Sequence, residues 1–192
     1  MDLEAQSEAA QVTRRDLLQK MGAGMLPLTI STIWGDMSPA QAQTRGAPLR
    51  NLSGTEELTL STLGDVLLPG AAKAGIAHFV DDQLGRDHPL LLLTYLDYPG
   101  PLLEFYQQGL SALEKLSAAR HEKSFGRVSP EQRIALIGEI STGNPEEWKG
   151  PPAPLFYFAT RADAIDVFYG TKEGFERLAV PYMEHILPPA KW

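Results

Sequence analysis

The chain has 192 residues, of which 43% are hydrophobic, and it carries a formal net charge of −7 at pH 7. This length suits one domain with a terminal extension, and the acidic balance argues against a nucleic-acid partner. Cysteine is absent, which excludes disulfides, thiolate catalysis and a covalently attached c-type haem, because the C-x-x-C-H attachment sequence requires cysteine. Any redox chemistry would therefore depend on a non-covalent cofactor or on another chain.

The N-terminal segment has the order of features found in an export signal. Arg14 and Arg15 stand side by side, followed by a polar residue and then by hydrophobic residues, which is typical of a twin-arginine signal. The apolar run Met21–Trp34 is too short and too rich in glycine to span a bilayer as a helix, which needs about 20 residues. Ala40 and Ala42 then form the small-x-small sequence that a signal peptidase recognises.

These features divide the chain into three parts. We predict a twin-arginine signal peptide at residues 1–42, a linker at 43–54, and a helical domain with a C-terminal arm at 55–192. A simpler interpretation is that the arginine pair only begins an amphipathic helix. The fate of the leader is also open, because it would either be removed by signal peptidase or stay attached as a membrane anchor.

The rest of the chain has the periodicity of helices and no run of alternating strands. Ser53 with Glu56, and Ser129 with Gln132, are capping pairs ahead of two helical stretches. The clearest helical stretch has an apolar stripe made of Leu102, Leu103, Tyr106, Leu110, Leu113 and Leu116. We therefore predict one all-α domain of five to seven helices, preceded by the signal segment and ending in an extended arm.

The stretch APLFYFATRADAIDVFYG predicts a long helix closed by Gly170. We expect Phe158, Ala162, Ile165 and Phe168 to form its inward face, because their spacing follows one side of a helix.

Motifs that bind phosphate or activate a serine are absent, since G-x-G-x-x-G, G-x-x-x-x-G-K-[ST] and G-x-S-x-G do not occur. His78 and Asp82 stand four residues apart with Asp81 alongside, and they could offer a metal an imidazole and a carboxylate on one helix face. One histidine and one aspartate fall short of a closed ligand set, so the simpler interpretation is polar surface with solvated aspartates. A free-standing periplasmic metal-binding protein or enzyme using His78 and Asp82 is the alternative function; no catalytic or metal-binding residue is assigned.

The last 25 residues are rich in aromatic side chains interleaved with prolines. This tail predicts at most a short helix and then an extended arm, because proline breaks helices. The arm would pack on its own core or lie on a partner, since Tyr and Trp are enriched at the centres of interfaces. For the second case we predict partner-binding residues at Tyr169, Phe175, Tyr182, His185 and Trp192.

From about Leu58 to Trp192 the chain resembles the gluconate 2-dehydrogenase subunit 3 family. The resemblance rests on TLGDVLLPGAAKAGIAHFVDDQL (Thr62–Leu84), on YQQGLSALEKLSAARHEKSFGRVSPEQRIALI (Tyr106–Ile137) and on RADAIDVFYGTKEGFERLAVPYMEHILPP (Arg161–Pro189). The third stretch is similar to a branch of the family that ends in HILPP and a terminal tryptophan. Members of this family commonly begin with a twin-arginine signal.

The resemblance implies a non-catalytic subunit of an oxidoreductase complex. A large subunit of the glucose–methanol–choline type would bind FAD and oxidise an alcohol or sugar, and a multihaem cytochrome c commonly takes the electrons. No cofactor is implied for this chain. Its implied role is to accompany the flavoprotein, to aid its maturation and to carry it through the twin-arginine translocase. A separate alternative is a pure scaffold that ties the flavoprotein to its cytochrome. We expect a periplasmic location, with any contact with the membrane made through the complex.

Overall fold

The computed structural model describes residues 37–181, and within this range it is helical and has no strand. The elements are α1 (Pro39–Arg45), α2 (Gly54–Leu67), α3 (Ile76–Leu84), α4 (Leu92–Tyr95), α5 (Leu102–His121), a 3-10 turn (Phe125–Arg127), α6 (Pro130–Thr142), α7 (Ala153–Tyr169) and α8 (Lys172–Arg177). The all-α prediction is confirmed. The described range holds eight α-helices rather than five to seven, because α1 forms in the segment assigned to the leader and linker and α4 is a single turn.

Both predicted capping pairs are present. At the start of α2, Ser53 Oγ accepts the backbone N–H of Glu56, while the Glu56 carboxylate accepts the backbone N–H of Ser53. Ser129 and Gln132 make the same reciprocal pair at the start of α6. Each serine satisfies a backbone donor that the helix leaves without a partner, so each cap contributes about 1 kcal/mol.

The core lies around α5 and α7. The apolar stripe predicted for α5 is confirmed from Tyr106 onwards, since Tyr106, Leu110, Leu113 and Leu116 are buried. α7 contacts every helix from α2 to α6, as well as α8. These neighbours cover much of the surface of α7 and leave only part of it exposed to solvent.

Aromatic rings join two loops to this core. Phe156 lies with its ring centroid 6.0 Å from that of Phe105 and 5.7 Å from that of Trp148. Tyr98 packs edge-on against Phe105 at 5.0 Å. The indole N–H of Trp148 donates to the carbonyl of Pro151 at 2.6 Å, which holds the Gly- and Pro-rich loop before α7 in place.

Residues 46–53, which fall in the predicted linker, lie against α3 in the structure. Leu52 is buried, and the Asp81 carboxylate accepts the backbone N–H groups of Arg50, Asn51 and Leu52 at 3.0, 2.7 and 2.8 Å. Three backbone donors of a loop without secondary structure require acceptors, and a buried carboxylate is a strong one. The domain therefore begins before residue 55.

The short helix predicted in the C-terminal tail is confirmed as α8, which Thr171 caps. Within residues 37–181, no helix combines the length and the apolar composition needed to cross a membrane.

Candidate partner-binding surface

α7 is apolar on nearly all sides, and only one of its faces is buried. The buried face consists of Ala153, Phe156, Ala159, Thr160, Asp163, Ala164 and Val167. Phe158 and Ile165, predicted to point inward, are instead 50% and 41% exposed, while Ala162 and Phe168 are half-buried. The predicted inward face is wrong for Phe158 and Ile165, because apolar residues surround the helix and their periodicity does not distinguish the two sides.

Phe158, Ala162, Ile165 and Tyr169 form what we call the α7 stripe. Spacings of four, three and four residues place them along one side of the helix, over about 17 Å at a rise of ~1.5 Å per residue. Tyr169 at its end is 39% exposed. Contiguous apolar surface of this kind indicates an interaction site, whereas scattered apolar residues do not.

The C-terminal end of the stripe is held in place by α8. Tyr169 packs edge-on against Phe168, with ring centroids 4.9 Å apart and an interplanar angle of 78°. The guanidinium carbon of Arg177 lies 4.2 Å from the centroid of the Phe168 ring, within the range of a cation–π contact. These contacts fix the backbone from which Tyr169 projects.

The five predicted partner-binding residues fall into two groups. Tyr169 is exposed at the end of the α7 stripe, and Phe175 is half-buried in α8. Tyr182, His185 and Trp192 lie outside the described residues. Partner binding by all five stays a prediction.

Sequence reasoning missed Phe158 and Ile165 as surface residues. A signal for them exists, because a helix with aromatic and aliphatic side chains on all sides indicates contact on more than one face.

A second apolar region surrounds α4. Tyr95 and Leu96 are 68% and 49% exposed. Beside them is an open depression of about 380 Å³, bordered by Leu93, Tyr98 and Leu102 among others. Its lining is mostly apolar, so it offers shape and hydrophobic contact but no set of convergent catalytic groups.

A buried hydrogen bond between Tyr106 and Asp163 joins α5 and α7 on the side opposite the α7 stripe. The Tyr106 hydroxyl donates to Asp163 Oδ2 at 2.6 Å, and neither residue has solvent-exposed surface. Burial raises the pKa of Asp163 to about 8 although the hydrogen bond from Tyr106 lowers it, and the nearby Asp166 carboxylate raises it further. Burial also raises the pKa of Tyr106, so that its hydroxyl stays protonated. Because solvent does not reach the pair, we assign it a role in helix packing.

His78, Asp81 and Asp82 lie in the interior, so their interpretation as polar surface is wrong. The imidazole nitrogens of His78 lie 3.1 Å from an amide oxygen and 2.9 Å from a carbonyl oxygen, both within residues 43–47. Asp82 forms an ion pair with Arg86 at 2.8 Å. The structure thus uses all three side chains for internal contacts, His78 and Asp81 with α1 and the loop after it, and Asp82 with neighbours in its own stretch of chain. No cluster of three or more histidine, cysteine or acidic residues suited to a metal occurs between residues 37 and 181.

Comparison with known proteins decides the family. The sequence model of gluconate 2-dehydrogenase subunit 3 matches residues 55–188. The chain belongs to this family. The match spans α2 to α8 and includes the α7 stripe, whereas α1 precedes it. No curated protein and no solved structure gives a significant match.

Membership of the subunit 3 family is consistent with an accessory subunit in a multisubunit dehydrogenase complex. Such a chain needs a surface for other subunits, and the exposed α7 stripe lies within the matched region.

Proposed function

We propose that this chain is a non-catalytic subunit of a periplasmic, FAD-dependent dehydrogenase complex that oxidises an alcohol or sugar. The observation that carries the proposal is the match to the subunit 3 family over residues 55–188. The large subunit holds FAD and performs the oxidation, and a multihaem cytochrome c accepts the electrons. The lack of cysteine in this chain agrees with covalent haem being attached elsewhere.

The contribution of this subunit is maturation and export of the flavoprotein. The twin-arginine route carries folded proteins, which suits a large subunit that binds its cofactor before export. Arg14 and Arg15 lie in a chain with no cofactor motif of its own. A leader on such a chain is useful when a bound partner that lacks a signal travels with it.

The α7 stripe is the surface on which the large subunit docks. Phe158 and Tyr169 are aromatic residues of the type enriched at the desolvated centre of an interface, and Ile165 adds apolar surface between them. Arg161 and Asp166 are exposed on the same helix and provide polar groups beside them. This arrangement of an apolar row with charged neighbours matches the core and rim of a protein–protein interface.

Two matched substitutions test the docking surface. Ile165 on the stripe and Ile134 on α6 are both exposed, the second more so at 63%. Ile165→Asp places a charge where the partner would exclude water, and we expect at least a tenfold loss of large subunit co-purified from co-expressing cells, an effect of about 1.4 kcal/mol or more. Ile134→Asp is expected to leave recovery unchanged, with flavin absorbance of the eluate as the readout. Equal recovery with both variants would contradict docking on the stripe.

Export is tested with the double substitution Arg14→Lys and Arg15→Lys. It keeps the positive charge and removes the twin-arginine signal, so we expect the large subunit to stay in the cytoplasm while still binding this chain. The measurement is the distribution of the large subunit between periplasmic and cytoplasmic fractions. Arrival of the large subunit in the periplasm at the normal level would show that this chain is not its export carrier.

A further inference from the structure

Residues 38–52 are built into the domain, although they precede the region that matches the subunit 3 family. They contain the Ala40–Ala42 sequence that would direct signal peptidase to the Ala42–Gln43 bond. A peptidase acts readily on exposed chain that lacks backbone hydrogen bonds. Whether this bond is available therefore depends on how α1 is held.

α1 is a capped helix whose inner side is buried. Ser38 and Gln41 form a reciprocal capping box, and Gly46 ends the helix in the left-handed conformation. Pro39 and Ala42 are buried. The backbone of the cleavage sequence is thus helical rather than extended.

The bond that would be cut is itself engaged. The carbonyl oxygen of Ala42, which belongs to the scissile peptide, accepts the backbone N–H of Ala47 at 3.0 Å. The Ala42 N–H donates to the carbonyl of Ser38 at 2.9 Å, and the Ala42 side chain has no exposed surface. Attack on this carbonyl requires α1 to unfold first.

Close backbone approach fixes α1 against the start of α3. Gly75 has a φ of +86°, and a Cβ at this position would collide with the carbonyl oxygen of Pro39. Only glycine combines that conformation with that contact.

Side chains of the domain bind the same segment at three further points. His78 contacts Gln43 and the carbonyl of Ala47. Asp81 accepts three backbone N–H groups of residues 50–52. Ser38 Oγ donates to Glu173 of α8 at 2.6 Å. Departure of the segment would break these hydrogen bonds of the buried side chains His78 and Asp81, and lost hydrogen bonds of buried polar groups oppose unfolding of α1.

We propose that residues 38–52 are a permanent part of the folded domain and that folding protects the Ala42–Gln43 bond from signal peptidase. The chain then keeps its leader after export. This inference rests on the twin-arginine leader of the proposed function, and it adds that this leader is not removed at Ala40–Ala42, because α1 holds that sequence in the folded domain.

The test exposes the native full-length chain, purified from the cytoplasm, to signal peptidase in detergent micelles. Intact mass spectrometry follows the loss of residues 1–42. A synthetic peptide with the sequence of residues 30–50 is the unfolded reference. We expect the peptide to be cut and the native chain to be cut at least about tenfold more slowly, because cleavage has to wait for local unfolding.

Two glycine variants identify the cause of protection. Gly75→Ala pushes on Pro39 and should restore cleavage, whereas Gly70→Ala introduces a similar conformational strain, at a φ of +97°, against the Phe168 ring and should not. The native chain and the peptide decide the proposal even where Gly75→Ala does not fold. Cleavage of the native chain at the rate of the peptide would overturn it, and so would a peptide that is not cut, since folding would then not be the cause.

The outcome is independent of export. The assay uses chain that has not been exported, so failure of the export role leaves its result unchanged. Cleavage of the native chain would in turn leave the export role standing. A chain recovered from the periplasm is expected to retain Ser38, and an N-terminus at Gln43 would contradict the proposal.

Discussion

The two faces of α7 are alike in composition and opposite in environment. Phe156 is fully buried between the rings of Phe105 and Trp148, while Phe158, two residues later, is 50% exposed. The neighbouring helices decide which aromatic side chain belongs to the core. The comparison shows that one face of α7 stabilises the fold, whereas the other is exposed and available for binding. Substitutions on each face should separate the role in stability from the role in binding.

The largest expected difference is between Phe156→Ala and Phe158→Ala. Phe156→Ala removes a ring from the core and should lower the free energy of unfolding by about 3–5 kcal/mol. Phe158→Ala changes an exposed residue and should alter stability by no more than about 0.5 kcal/mol. Urea unfolding followed by circular dichroism measures both. Similar losses for the two variants would show that the faces are not distinct.

The buried face should also carry a pH dependence through Asp163. Its pKa is about 8 in the folded chain against an ordinary value of 3.8, so the folded state binds a proton that the unfolded state releases between these values. The stability that this group contributes is complete below about pH 4 and is lost as the pH rises through about 8. Through this group the free energy of unfolding falls by at most about 1.4 kcal/mol per pH unit.

Asp163→Asn tests this dependence, because the amide oxygen still accepts the Tyr106 hydroxyl. We expect the variant to be less sensitive to pH between 5 and 9 and to be more stable than the natural chain at pH 9. Thermal unfolding across this range is the measurement, with Glu176→Gln on α8 as a control that removes an exposed carboxyl group away from Asp163. An unchanged slope in Asp163→Asn would rule out this carboxyl as its source.

The smallest expected effect lies at the boundary between the two faces, where Arg177 of α8 sits over Phe168. Arg177→Gln removes the cation–π contact together with the exposed hydrogen bond from Arg177 Nε to the carbonyl of Glu173, and it should cost about 0.5–1 kcal/mol. Lys172→Gln removes an exposed charge from the same helix and serves as the control. Chemical unfolding measures the free energy of unfolding of both variants, and we expect that of Arg177→Gln to be the lower. Equal values for the two variants would show that the contact of Arg177 with Phe168 does not stabilise the fold.

Features set by local sequence were predictable. The capping pairs at Ser53 and Ser129 depend on residues three apart, and the buried stripe of α5 follows from a helix with one clearly apolar face. The same reasoning failed for Phe158 and Ile165, because α7 has no polar face to mark the surface. Tyr169 was predicted as a binding residue from its type, and its exposure at the end of the stripe agrees with that expectation without testing it.

By itself, the sequence determined the all-α class, the start of most helices and the resemblance to the subunit 3 family, since these depend on short-range periodicity and on motifs. Only the tertiary structure decided which face of α7 is buried, that α1 and the loop after it belong to the domain, and that His78 and Asp81 are interior side chains. Those outcomes depend on contacts between residues about 30 or more positions apart, such as Asp81 with Asn51 and His78 with Gln43. The physical reason is that burial and hydrogen-bond satisfaction belong to the assembled chain, and no local pattern specifies which distant segment will supply the partner.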